Sequence, residues 1–249
     1  IDHGRKTLNI SVKEFLQELK KVGLNSLPGT AAEILHDEVR AIICPDKLTT
    51  KQWIEIIETA HSVGLPTTST MMFGHVERTS HIAHHLLELF NLQNKTNGIT
   101  EFVPLPFVAD EAPIFRRGKS RPGPTFKETI LVHSVARILF NGSINNIQGS
   151  WVKMGLSGLK YLLSSGINDI GGVLMNESIT RSAGASFGQE LNLNDVISIA
   201  EELGLNMKQR NTLYKPLKNK LKDLITLQSI PLVPIINDYH KPKKIINTL

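Results

Sequence analysis

Glu33 and His75 are the only candidate acid–base pair that this sequence offers. Glu33 ends the run Pro28-Gly29-Thr30-Ala31-Ala32-Glu33. Its carboxylate can accept from an ammonium group or from ribose hydroxyls. Gly29 permits close backbone approach, and a helix starting here would offer free N–H groups. A first-turn glutamate favoured by the helix dipole is the competing reading. His75 stands in Gly74-His75-Val76-Glu77, directly after a strand, where an imidazole can move a proton or hydrogen-bond a substrate. Thr68 and Thr70 alternate along that strand, so both face one side of the sheet. Further along, Gln148, Asn176 and Glu177 offer hydrogen bonds, Trp151 offers a ring surface, and Arg181 can hold a carboxylate with two parallel bonds. Each also fits a loop residue satisfied by its own backbone. His81, His84 and His85 share one helix face, but that helix would lie outside a barrel, so no metal site is assigned. HExxH, Walker A and Gly-x-Ser-x-Gly motifs do not occur.

These residues need strand ends to carry them. Ser11-x-x-Glu14 is a capping box and opens an amphipathic helix that stops near Gly23. A strand over 24–27 follows. Thr49 or Thr50 caps a helix whose Trp53, Ile56, Ile57 and Ala60 share a face, with Gly64 beyond its end. Strand 67–73, helix 80–93 and strand 99–103 come next, and the two prolines of Phe102-Val103-Pro104-Leu105-Pro106 should turn the chain out of the sheet. The pattern repeats with helix 125–140, strand 146–149, helix 157–165, strand 169–174 and helix 194–203. Residues 207–227 are read as a further helix. This makes about five βα units after a lone helix, an α/β chain with a parallel sheet. Five strands do not close an ordinary (β/α)₈ barrel, so the expected architecture is a partial TIM-type barrel missing its first strands. An open doubly wound sheet is the alternative.

The 249 residues carry a formal charge of +5, with basic clusters at Arg116-Arg117-Gly118-Lys119-Ser120-Arg121, at Lys215, Lys218, Lys220 and Lys222, and at Lys241 to Lys244. No aromatic residues interleave them, so they read as solvated surface and nucleic acid is not an expected partner. No run approaches the roughly 18 apolar residues of a membrane span. The single cysteine, Cys44, excludes an internal disulfide and a multi-thiolate zinc site, and fits a reducing, cytoplasmic setting. An organellar location would apply if a targeting segment preceded Ile1.

Three runs in fixed order carry a resemblance: Ser26-Leu27-Pro28-Gly29-Thr30-Ala31-Ala32-Glu33-Ile34-Leu35, Ile43-Cys44-Pro45-Asp46-Lys47-Leu48, and Thr67-Thr68-Ser69-Thr70-Met71-Met72-Phe73-Gly74-His75-Val76-Glu77. Together they resemble the later part of radical S-adenosylmethionine (SAM) enzymes, and most closely the tyrosine-coupling subunits of F0 synthase. The runs 146–153 and 168–178 resemble that family's carboxyl-terminal region. The resemblance implies a reduced [4Fe–4S] cluster that cleaves SAM, hydrogen abstraction from L-tyrosine, and attachment of its 4-hydroxybenzyl group to 5-amino-6-(D-ribitylamino)uracil. A partner F0 synthase subunit or domain would then close the deazaflavin ring of the F420 precursor.

By the same resemblance, Glu33, Gly29 and Thr30 bind SAM and His75 is catalytic. Thr68, Thr70, Gln148, Trp151, Asn176, Glu177 and Arg181 face the substrates. It also divides the chain into 1–108 (core barrel), 109–227 (a family-specific region completing it) and 228–249 (a tail). The cluster motif CxxxCxxC is missing, so its ligands are expected upstream and the chain alone is expected to be inactive. Radical SAM enzymes of the futalosine route to menaquinone are the nearest alternative. A cluster-free barrel that binds a small molecule or partner subunit is the non-catalytic one.

Overall fold

The computed structural model describes residues 1–172, 177–187 and 190–217. Helix α1 (Asp2–Leu8) leads into α2 (Val12–Lys21), α3 (Asp37–Ile43) and α4 (Thr50–Ser62). Strand β1 (Thr67–Phe73), helix α5 (Thr79–Thr96) and strand β2 (Ile99–Pro106) follow, then α6 (Pro113–Arg116), α7 (Phe126–Leu139) and β3 (Asn146–Ile147). The remaining described elements are α8 (Trp151–Leu163), α9 (Ile179–Ser182) and α10 (Leu193–Glu202).

Helix starts follow local chemistry. Ser11 Oγ accepts from Glu14 N at 3.1 Å while Glu14 accepts from Ser11 N at 2.8 Å. Thr49 with Gln52, and Thr125 with Glu128, close the same reciprocal box at α4 and α7.

The sheet is parallel, in the order β1-β2-β3. Isolated parallel bridges extend it at both sides, Leu27 to Thr67 and Gln148 to Asp169. Alternation sorts β1 into two faces. Thr67, Ser69, Met71 and Phe73 are buried, and the last two join the main core with Phe102, Phe140, Ile147 and Leu159. Thr68, Thr70 and Met72 take the opposite, partly open face.

Several expectations are corrected. The strand over 24–27 contracts to a single bridge at Leu27, and that over 169–174 to Asp169, with 173–174 outside the described residues. Strand β2 does not end at its prolines: Pro104 pairs with Met71 and Pro106 with Phe73. Phe102 accepts from Gln148 N on the β3 side, while Phe107 N donates to Phe73 on the β1 side. The even-numbered residues of β2 therefore face β3, which reaches only Glu101 and Phe102. The N–H groups that Pro104 and Pro106 lack point where no ladder exists, as at an edge strand.

Helix α8 begins at Trp151, ahead of the expected Ser157, and Gly155 (φ 64, ψ 179) breaks it into two pieces. A side chain at Gly155 would meet the Phe187 ring at 2.7 Å. Residues 207–217 are not helical; Arg210 and Pro216 form an antiparallel bridge, and Pro216 has no N–H for a helix. Residues 218–227 and the tail 228–249 lie outside the described residues. Among the described residues, no helix is long and apolar enough to cross a membrane.

Candidate functional site

The segment 28–35 runs beside β1 and brings Glu33 to that strand's carboxyl end. Gly29 N donates to Thr68 Oγ1 at 2.9 Å, Thr70 Oγ1 donates to Gly29 O at 2.9 Å, and Met72 N donates to Glu33 O at 2.9 Å. Thr68 and Thr70 thus spend their hydroxyls on the Gly29 backbone. The expected helix start is absent: α3 begins only at Asp37, and Ala31 (φ 64) and Glu33 (φ 47) adopt left-handed backbone. That conformation costs a side chain about 1 kcal/mol or more, so the loop stands because its surroundings hold it. Glu33 is accordingly a loop carboxylate, not a first-turn helix residue. Its Oε1 meets Lys47 Nζ at 2.6 Å.

Residues that the sequence did not assign to the site do much of this holding. Arg40, only 3% exposed, donates to Leu48 O at 2.7 Å and to Ala32 O. Trp53 Nε1 donates to Thr30 O at 3.2 Å. Leu35 N donates to His85 Nδ1 at 2.9 Å, and His84 Nδ1 donates to Leu35 O at 2.9 Å. Two members of the α5 histidine set therefore clamp the end of the loop. Burial pushes His85 down to about 3, so it accepts as a neutral ring. Nothing in the spacing of Arg40 marks it out, since an arginine after two acids on a short helix reads as surface.

The turn after β1 is closed by Glu77. Its carboxylate accepts from Gly74 N at 2.6 Å and from His75 N at 2.9 Å. Arg121 Nη2 lies 3.4 Å away, while its Nη1 pairs with Glu128 at 2.7 Å. His75 is 1% exposed: its Nε2 donates to Met72 O at 2.9 Å, and its Nδ1 accepts from Val76 N at 2.7 Å. Burial lowers its pKa below the usual imidazole value, against the raising effect of Glu77 and, more weakly, Glu33. The ring orders the turn beside Glu33 with both nitrogens engaged.

A second polar group occupies the face that Thr68 shares. Glu101, in register with Thr68, is 3% exposed. Arg210 bonds Glu101 at 3.2 Å and also Asp169, and its guanidinium lies 4.1 Å from the Tyr214 ring centre. Burial, with the negative charge of Asp169, pushes Glu101 up to about 7, so it can take or give a proton near neutrality. A lone acid on the open face of an otherwise apolar strand was the available signal.

Near the third strand, Trp151 Nε1 donates to Gly172 O at 3.2 Å, and Gly171 backs against the Gln148 amide. Glu177 accepts from Thr180 N at 3.0 Å, and Arg181 lies in α9. Lys153, whose pKa is lowered by burial, feels the charge of Glu177. Asn176 lies outside the described residues.

Comparison with known proteins adds to this geometry. Residues 96–222 match the family model described as the CofH/MqnC C-terminal region, and residues 5–89 match the radical SAM superfamily. A Methanothermobacter thermautotrophicus protein named 5-amino-6-(D-ribitylamino)uracil–L-tyrosine 4-hydroxyphenyl transferase is 48% identical over 217 residues, 87% of this chain and 59% of that protein. Its namesake in Methanocaldococcus jannaschii is 48% identical over 215 residues, 86% of this chain and 60% of that protein. The FO synthase of Mycobacterium leprae is 47% identical over 214 residues, 86% of this chain and 25% of that protein. The chain thus spans about three-fifths of the length of the first two relatives.

Proposed function

The chain belongs to the CofH/MqnC family, and from that premise we propose that it is the carboxyl-terminal part of a radical SAM transferase that couples the 4-hydroxybenzyl group of L-tyrosine to 5-amino-6-(D-ribitylamino)uracil. The observation that carries this reading is 48% identity over 217 residues, 87% of the chain, to a protein of that name. The parallel sheet, with its added bridges at Leu27 and Asp169, supports a partial TIM-type barrel. The division at about residues 108 and 227 is retained as part of the same reading.

The residues present do not fit an iron–sulfur cluster. The sequence holds one cysteine, Cys44, which is buried and whose thiol burial pushes above its ordinary pKa. A cluster needs several thiolates, so its ligands belong on a segment other than this one. The loop does fit SAM. Glu33 is a carboxylate at a strand end, and its present partner is the half-exposed ammonium of Lys47. A carboxylate that already takes one ammonium suits the amino group or ribose hydroxyls of the cofactor. When bound, SAM supplies the radical chemistry.

This chain's own residues bind and orient. Glu33, Gly29 and Thr30 hold the cofactor, while Thr68 and Thr70 fix Gly29. His75 holds the turn at the site. Gln148, Trp151, Asn176, Glu177 and Arg181 form the substrate side, with Arg181 toward the tyrosine carboxylate. A partner F0 synthase subunit or domain takes the product onward in the cytoplasm, with no nucleic acid or membrane involved.

The experiment joins the chain in frame to the cluster-bearing amino-terminal segment of the Methanothermobacter relative and measures SAM affinity by equilibrium dialysis. Glu33→Gln should weaken binding about 10–100-fold, the equivalent of one charge-assisted bond, with circular dichroism unchanged. Unchanged affinity would remove Glu33 from the site. No SAM binding by the joined protein itself would overturn the transferase reading.

A further inference from the structure

We propose that His36, Glu38 and His81 form a binding site for a divalent zinc-class ion, on the outer side of the loop that carries Glu33. One ligand atom from each of the three lies within 4.8 Å of the other two. His36 precedes α3, Glu38 lies in its first turn, and His81 lies in the first turn of α5. The site therefore joins two elements that are 43 positions apart in the chain (81 − 38).

Two further observations point to a ligand. The Nδ1 atom of His36 is buried and has no hydrogen-bond partner, and the His36 ring faces that of His81 at 4.4 Å between centres. An imidazole nitrogen left unsatisfied beside a second imidazole is costly unless something is bound there. In addition, His36, Glu38, His84 and Glu88 line an open cleft of about 650 Å³, which gives an ion a path from solvent.

The donor set is two imidazoles and one carboxylate, which suits zinc with water in the fourth position. Small side-chain rotations bring atoms within 4.8 Å to the roughly 3.3 Å edge of a tetrahedral zinc site. His81 Nδ1 now accepts from Arg78 N at 3.2 Å. Coordination through His81 Nε2 moves the ring proton to Nδ1 and gives up that bond, so the ion replaces one helix-cap contact. The bound ion would tie the end of the 28–35 loop to α5, adding to the grip of His84 and His85 on Leu35.

The test uses the 249-residue chain, stripped with chelator and free of any affinity tag. Zinc binding is followed by calorimetry, and cobalt is used as a spectroscopic stand-in. The expected result is one zinc per chain at saturation and tetrahedral cobalt bands in the visible. Affinity should fall in His36→Ala, Glu38→Gln and His81→Phe by at least the roughly 10–100-fold seen when even an outer-shell partner is lost. His3→Ala, an exposed histidine outside the cluster, should bind as the parent does. If His36→Ala fails to fold, Glu38→Gln decides, because its side chain is exposed. Absence of a zinc equivalent, or equal affinity in Glu38→Gln and the parent, would overturn the proposal. These readouts do not involve SAM, so they stand or fall separately from the transferase reading.

Discussion

Gly29→Ala is expected to lower the coupling rate of the joined enzyme about 100-fold, the scale set by a displacement of about 1 Å at a reacting site. A Cβ at Gly29 would sit 1.7 Å from Thr68 O, 2.4 Å from Thr68 C and 2.7 Å from Ser69 Cα. All three are backbone atoms of β1, and none can rotate aside. The loop must lift, which breaks both the bond from Gly29 N to Thr68 and that from Thr70 to Gly29 O. Glu33 then loses its place, because Met72 N holds it through the same stretch of backbone. Thr68→Val removes a single bond and should cost only about 1 kcal/mol. Turnover assays on both variants, with far-ultraviolet circular dichroism to confirm folding, check this order. Near-parental turnover in Gly29→Ala would show that the loop's seat on β1 does not matter.

Arg40→Leu is expected to destabilise the chain by about 3–5 kcal/mol, the range for stranding buried partners of a charged group. The guanidinium is buried and donates to the carbonyls of Leu48 and Ala32, with Ala31 and Ile34 at 3.4 Å. Leucine matches part of the volume but satisfies none of these oxygens. The loss should appear as a lower urea midpoint with an unchanged slope. Lys47→Ala, by contrast, removes an ion pair whose lysine is half exposed and should change stability by no more than about 1 kcal/mol. If Arg40→Leu and Lys47→Ala shift the midpoint equally, the buried arginine is not what holds the loop.

The regular elements were legible where one physical signal dominated. Strand β1 reads directly from its β-branched and apolar run, and α2 from the reciprocal pair Ser11 and Glu14. The signal failed where neighbours decide. Pro104 and Pro106 stay in β2 because β3 is too short to need their missing donors, and no local pattern reports the length of a neighbouring strand. Glu33 lies in a left-handed loop because Arg40, Trp53 and Met72 stabilise that shape from three other elements. Glu101 owes its raised pKa to burial first and then to Asp169, which lies 68 positions away in the chain (169 − 101). His36 meets His81 only because His84 and His85 hold the neighbouring Leu35 against α5. The candidate site was thus visible as a set of motifs on strand ends, while the residues that shape it become visible only in three dimensions.

The most direct measurement is product mass. The chain, joined to the cluster-bearing segment and reduced anaerobically, is given SAM, the ribitylaminouracil and ring-labelled tyrosine. The account predicts a product that combines the labelled 4-hydroxybenzyl group with the uracil, formed by the joined protein and not by the 249-residue chain alone, which has a single cysteine. SAM cleavage without the labelled adduct, or the same adduct from the unjoined chain, would contradict it.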